Sequence, residues 1–254
     1  MKGKRVARAL QQRIDEYLLR LRQMNARQDE KTTHRFRIAS RNLLAVYPLF
    51  PDEAKALRWK GKVKKGLRRL NRLRDLHALQ SRVTGHDAML MMEIMGERQA
   101  YEPAGRHADL ERLLNDSGKM AEHFIAHHTE AFSRRLRDEW FKVHARLGEC
   151  LLAADGNRPK TLHSLRVAYK SFRYLLTFLH DIGELPELDE AQLKSWQDLL
   201  GKIQDSEVAS AWMAEHQLQD TPVARAIEEE SVRLRHYFMH ERPHFRNFID
   251  SLVW

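Results

Sequence analysis

The sequence is short of the residues that bend or cross-link a chain. Its 254 residues include one cysteine, Cys150, which cannot form an internal disulfide and excludes cysteine-based zinc sites. Gly 11 and Pro 7 are few for this length, which argues against sheets joined by tight turns and for long helices. No apolar run approaches the roughly 18 residues that a membrane span needs. Met1 to Leu21 mixes Lys, Arg, Gln and Asp with apolar residues at helical spacing, unlike a signal peptide. A reducing, cytoplasmic setting is expected. No Gly-rich phosphate loop, nucleophile elbow or carboxylate cluster spaced for magnesium stands out, which counts against a kinase or phosphatase. No helix-turn-helix or basic-zipper pattern stands out either.

What the sequence does have is positive charge in one place. The net charge is +9, but residues 1–116 carry +12 and residues 117–254 carry −3. Residues 31–74 alone hold 14 basic and 2 acidic side chains. A surface kept basic only for solubility would intersperse the signs. A field concentrated in this way steers polyanions to one region.

The basic residues are ordered along helices. At 100° per residue, His34, Arg37 and Arg41 fall within a stripe about 60° wide, and the other side of the same segment carries Phe36, Ala39, Leu43, Val46 and Phe50. A near copy lies 129 residues on: His163, Arg166 and Lys170, extended by Arg173, against Leu165, Ala168, Phe172, Leu175 and Leu179. Leu70-Asn71-Arg72-Leu73-Arg74-Asp75 is matched by Leu200-Gly201-Lys202-Ile203-Gln204-Asp205 at offset 130. Two matched pairs at nearly constant separation indicate an internal duplication of a helical unit, which usually packs about a pseudo-two-fold axis. The expected fold is all-α, one domain over residues 1–254 in two halves, 1–116 and 117–254, each a four-helix bundle. The two stripes would be two walls of one anion site.

Periodicity and end signals place the helices. They are Arg5–Arg27; a second helix capped by Thr32 or Thr33 and ended by Pro48 and Pro51; Asp52–Thr84; and a Met-rich helix over His86–Gln99. After the break at Pro103 and Gly105 come a short piece over Arg106–Leu114 and one long helix over Lys119–Ala154. Asn157 with Pro159 then starts a helix to Ile182, and Asp189 with Gln192 forms a capping box before Glu190–Gln217. The last helix is Val223–His240, interrupted by Pro243.

A helix opening His-x-x-Arg-Val-x-x-(Arg/Lys), followed by one ending Leu-Gly-x-x-Arg-Asp, the pair occurring twice, resembles the CHAD domain (conserved histidine α-helical domain). The resemblance covers essentially the whole chain. It implies two four-helix bundles with a basic central groove that binds inorganic polyphosphate, in some members at polyphosphate granules; because no catalytic motif stands out, binding without catalysis or cofactor is expected. Carried over by motif, the binding residues are His34, Arg37, Arg41, His163, Arg166 and Lys170. Arg173 joins them by helix geometry. Lys62, Lys65, Arg69 and Arg72 on the third helix and Lys202 in the second copy complete the basic set. Three positions depart from the pattern: Ile38 for Val, Asn71 for Gly, and Gln204 for Arg.

Polyphosphate has about one charge per phosphate and no bases to stack, so its receptor needs many charge-assisted donors and no aromatic platform. The competing readings are a nucleic-acid-binding helical protein and a scaffold for an acidic protein partner. His236, His240 and His244, and the pair His123 and His127, have metal-like helical spacing but read as surface or packing histidines, so no metal is expected. Met89, Met91, Met92 and Met95 read as core filling. Arg74, Asp75 and Asp205 read as architectural.

Overall fold

In a computed structural model the described residues are 3–27, 29–50, 54–83, 88–99, 108–185, 187–252 and 254; among them there is no strand. The helices are α1 (Gly3–Ala26), α2 (Glu30–Val46), α3 (Ala54–Arg69), α4 (Asn71–Val83), α5 (Ala88–Gln99), α6 (Ala108–His127), α7 (Thr129–Leu152), α8 (Pro159–Asp181), α9 (Glu190–Glu215) and α10 (Pro222–Ser251). A 3-10 turn, Tyr47–Leu49, follows α2. Among the described residues no helix is long and apolar enough to cross a membrane. The all-α expectation therefore holds.

The helix limits carry four corrections. Asp29, not Thr32 or Thr33, caps α2: its Oδ1 accepts the Thr32 N–H at 2.7 Å, while the Thr32 hydroxyl accepts the Asp29 N–H at 3.1 Å. Thr33 is buried inside the first turn. The expected third helix is two, α3 and α4, hinged at Leu70, whose N–H turns back to the Leu67 carbonyl in a tightened last turn. The expected long helix over Lys119–Ala154 divides at His128, and α6 begins far enough upstream to absorb the short piece before it. At this division the Thr129 hydroxyl donates to the Ile125 carbonyl and Ser133 to that of Thr129, the local competition that bends helices. Pro243 does not end α10, which runs on to Ser251. Proline removes one backbone bond, but Phe238 before it and Phe245, Phe248 and Ile249 after it are buried, and that packing holds both segments in one helix. The expected ends at Asp52, Thr84 and His86, and the breaks at Pro51, Pro103 and Gly105, lie outside the described residues.

The chain forms two compact units: residues 1–74, 101–142 and 174–188 in the first, and 75–100, 143–173 and 189–254 in the second. This division differs from that between the duplicated halves, 1–116 and 117–254. In the first unit α1 packs on α2 and α6, and α3 on α2 and α6. Tyr17 meets Phe36 with ring centroids 5.4 Å apart, and Phe50 meets Phe132 at 5.8 Å. In the second unit α9 packs on α10, and Phe245 is the hub, with Trp196, Tyr169 and Phe238 around it at 4.9, 5.2 and 5.8 Å.

The first unit buries a charge that periodicity did not reveal. Arg13, on the apolar side of α1, donates to the Asn42 carbonyl at 2.8 Å and to Asp181 Oδ2 at 3.0 Å, and lies over the Phe178 ring. Burial pulls its pKa down from the ordinary value, and the hydrogen bond and charge of Asp181 oppose this. Removing one partner of a buried pair costs roughly 3–5 kcal/mol, because the other charge is left desolvated. Asp181 is 38% exposed, so the expected cost of Asp181→Ala is lower, about 2 kcal/mol in urea unfolding at 25 °C. Arg13→Met combined with Asp181→Ala should recover part of that loss. A double variant less stable than Asp181→Ala alone would show that the bond to Asn42, not the ion pair, holds this corner.

Candidate basic site

In α2 the apolar face is buried through Phe36, Ala39, Leu43 and Val46, and this burial turns His34, Arg37 and Arg41 outward. His34 is exposed, and Arg37 and Arg41 are half-buried. On α3, burial of Trp59, Val63 and Leu67 likewise exposes Lys62, Lys65 and Arg69, at the same i, i+3, i+7 spacing as the α2 stripe. A Cβ added at Gly66 would lie 3.8 Å from the Phe36 ring, a measure of how closely the two helices approach.

Arg37 joins them. Its guanidinium donates to Asn71 Oδ1 at 2.9 Å and to the Leu67 carbonyl at 3.3 Å, sharing that oxygen with the Leu70 N–H where α3 ends. A cation at a helix C-terminus is favoured by the macrodipole, so Arg37 both belongs to the stripe and caps α3. Asn71, which stands where the motif has Gly, supplies the second acceptor. Arg72 is half-buried at the start of α4.

The cations of this unit are partnered to different extents. On α1, Arg13 pairs with Asp181, Arg20 with Glu16 and Arg22 with Glu111, and Arg27 just beyond it pairs with Asp29, while Lys4, Arg5 and Arg8 meet no carboxylate among the described residues. Arg41, Lys62, Lys65 and Arg69 meet no carboxylate within ion-pair distance among the described residues.

The second stripe, on α8, is built differently. His163 is exposed, Lys170 and Arg173 are half-buried, and Arg166 is buried at 9% exposure, unlike its counterpart Arg37. His163 Nδ1 contacts Gln204 Oε1 on α9; Gln204 stands where the first copy has Arg74. A carbonyl oxygen only accepts, so this contact places the proton on Nδ1 and directs Nε2 outward. Tyr169 fixes α8 on α9 by donating to the Leu193 carbonyl at 2.9 Å. Burial pushes its phenol pKa up, and the Arg173 charge opposes that. Lys202 is exposed on α9, and its carbonyl accepts from Arg82 at 3.2 Å. The positions that match Lys62, Lys65 and Arg69 are Gln192, Ser195 and Leu199, so the second copy has no equivalent of the α3 stripe.

Sequence reasoning missed three features. Ile38 and Val167, at matched positions amid the cations, are 38% and 46% exposed; their offset of 129 was the available signal. The Arg37 cap had no signal, because the hinge at Leu70 was not foreseen. An open groove at the α6–α7 division is lined by His127, His128, Arg134 and Arg137, with Glu130 among them, and lies outside the repeat. His236, His240 and His244 are exposed, with His240 beside Glu241. Arg74, Asp75 and Asp205 are half-buried.

Comparison with known proteins adds the family. A comparison with curated proteins finds no match. Among solved structures, the CHAD domain from the plant Ricinus communis is similar, with a TM-score of 0.62 and 17% identity over 98% of this chain and 89% of that one; at this identity the likeness shows the fold. The family model for the CHAD domain matches residues 8–214, most of the chain and both copies of the motif. The chain belongs to the CHAD domain family.

Proposed function

We propose that this protein binds inorganic polyphosphate, without catalysing a reaction on it, through the α2–α3 face and the α8 stripe. The observation that carries the reading is the set Arg41, Lys62, Lys65 and Arg69 on α2 and α3, which meet no carboxylate among the described residues and lie in a segment, 31–74, with 14 basic and 2 acidic side chains. Leaving such charges together is electrostatically costly unless an anion offsets them. The CHAD family is linked to polyphosphate binding, which agrees with a face rich in charge-assisted donors. In this reading Arg41, Lys62, Lys65 and Arg69 provide most of the attraction. His34, His163, Lys170, Arg173 and Lys202 add donors, while Arg37, Arg72 and the buried Arg166 shape the faces as well as charging them. The protein would act in the cytoplasm, with polyphosphate granules as one place to find its ligand.

The primary test is competition at fixed salt between long-chain polyphosphate and duplex DNA of equal charge. Polyphosphate should win, and preference for DNA would overturn the reading in favour of a nucleic-acid-binding protein. Release of phosphate from polyphosphate with added magnesium would move the protein into the enzyme class.

Counterion release gives a second prediction. Arg41→Gln with Arg69→Gln should weaken polyphosphate binding and reduce the slope of log affinity against log salt by about one to two. His236→Ala with His240→Ala should change neither, and equal effects of the two pairs would refute the site assignment.

Stability separates Arg37 from its neighbours. Arg37→Gln should cost about 1–2 kcal/mol in denaturant unfolding because Asn71 Oδ1 and the Leu67 carbonyl both lose a charged donor. Arg69→Gln should stay within about 0.5 kcal/mol of the parent.

A further inference from the structure

Helix α7 carries two apolar stripes, and the protein covers one of them. The covered stripe includes Phe132, Leu136, Trp140, Leu147 and Leu151. The other is Phe141, Ala145, Gly148 and Leu152, spaced by four, three and four residues. At 100° per residue these four fall within about 60° of one another. Phe141 and Leu152 are 65% and 63% exposed, and Ala145 between them is exposed too. A Cβ added at Gly148 would meet nothing within 4 Å, so the space above it is open. Toward the N-terminus the stripe passes into Asp138 and Arg134, both exposed, and at Leu152 the helix ends. The exposed apolar surface is therefore confined to the second half of α7.

A spacing of four, three and four is that of the seam along which one helix meets another in a coiled coil. The sizes along it run large, small, small, large, and the outer and inner pairs share one centre, between Arg146 and Leu147. Crossing helices approach most closely at their crossing point and diverge on either side, so small residues belong at the centre and large ones at the ends. Glycine weakens a helix interior, and no neighbour within the chain takes up the space that Gly148 leaves. A second helix seated on the stripe would use it.

The charges beside the seam choose the partner and its direction. Lys142 and Glu149 each follow a seam residue by one position, so both flank the same edge of the stripe. Both side chains are well exposed, at 78% and 66%. In an antiparallel pair that edge faces its own copy, and a two-fold axis through the shared centre brings Lys142 of each chain to Glu149 of the other. The same axis sets Phe141 opposite Leu152 of the second copy, and Ala145 opposite its Gly148. A parallel pair would instead bring Arg137 to Lys142, two like charges.

We propose that the Phe141–Leu152 face of α7 is the contact of an antiparallel homodimer, with a second copy of this chain as its occupant. The contact lies within residues 117–254, whose net charge is −3, and outside the basic segment 31–74, so the copies meet where their repulsion is least. Four seam residues per copy make a small interface, which gives a weak, concentration-dependent dimer. None of the four belongs to the basic stripes.

Sedimentation equilibrium of the 254-residue chain, washed at high salt to remove polyanions, tests this across low to high micromolar concentrations. The weight-average mass should rise with concentration from 30.0 kDa toward twice that value. Gly148→Leu fills open space without touching its own chain, so it should fold as the parent does and hold the mass at the monomer value. Lys142→Glu should raise the midpoint concentration at least about threefold, and adding Glu149→Lys should bring it back toward the parent. Thermal melts would verify that each variant is folded. A parent that stays at 30.0 kDa throughout would overturn the proposal and leave the face to a different protein. A dimer indifferent to Gly148→Leu, or a double charge reversal no better than Lys142→Glu alone, would overturn it as well. The measurement contains no polyphosphate, so its result is independent of the reading of the basic stripes.

Discussion

The constraint on which this structure depends is that a charge leaves water only with a partner. Arg13 enters the apolar side of α1 because Asp181 and the Asn42 carbonyl receive it. Arg235 on α10 is held by Glu207 and Glu228, and Arg82 by Glu230. Elsewhere the helix turns its cations toward solvent and packs through what remains. On α2 and α3 this sorting leaves two parallel spacings of cations on one side and Phe36, Leu43, Val63 and Leu67 on the other. Core and candidate site are two results of the same sorting.

The features legible in the sequence were those with a period. The stripes, their apolar backs, the duplication and the all-α class follow from spacing alone, because each is a property of single helices. The hinge at Leu70 was not legible: nothing in Leu-Asn-Arg breaks a helix, and the break is made good by Arg37, more than thirty residues away in sequence. The Arg13–Asp181 pair spans a still longer separation and leaves no local trace. Pro243 misled in the opposite direction, since its local cost is overridden by buried aromatic residues on both sides. Burial of Arg166 was likewise hidden, because on a helical wheel it occupies the same angle as the accessible Arg37.

The duplication did not preserve equality. The first copy retains Arg37 as a cap, places Asn71 beneath it and repeats the cationic spacing on α3. The second buries Arg166, sets Gln204 against His163 and has Gln192, Ser195 and Leu199 where the α3 cations would be. One copy has become the more highly charged, the other the more internally bonded. That division of labour is open to a duplicated unit once one copy suffices for attraction.

Ile38 and Val167 interrupt the stripes with side chains that can neither donate nor repel. A helix advances about 1.5 Å per residue, so His34, Arg37 and Arg41 stand roughly 4.5 and 6 Å apart along the axis. Adjacent phosphates in a condensed chain share an oxygen and lie closer together than that. In the polyphosphate reading no single alignment of chain and helix satisfies every cation, and many alignments satisfy them nearly as well. The ligand would then be held by the number of equivalent placements more than by any one of them. Such a surface grips a uniform polymer while leaving it free to slide.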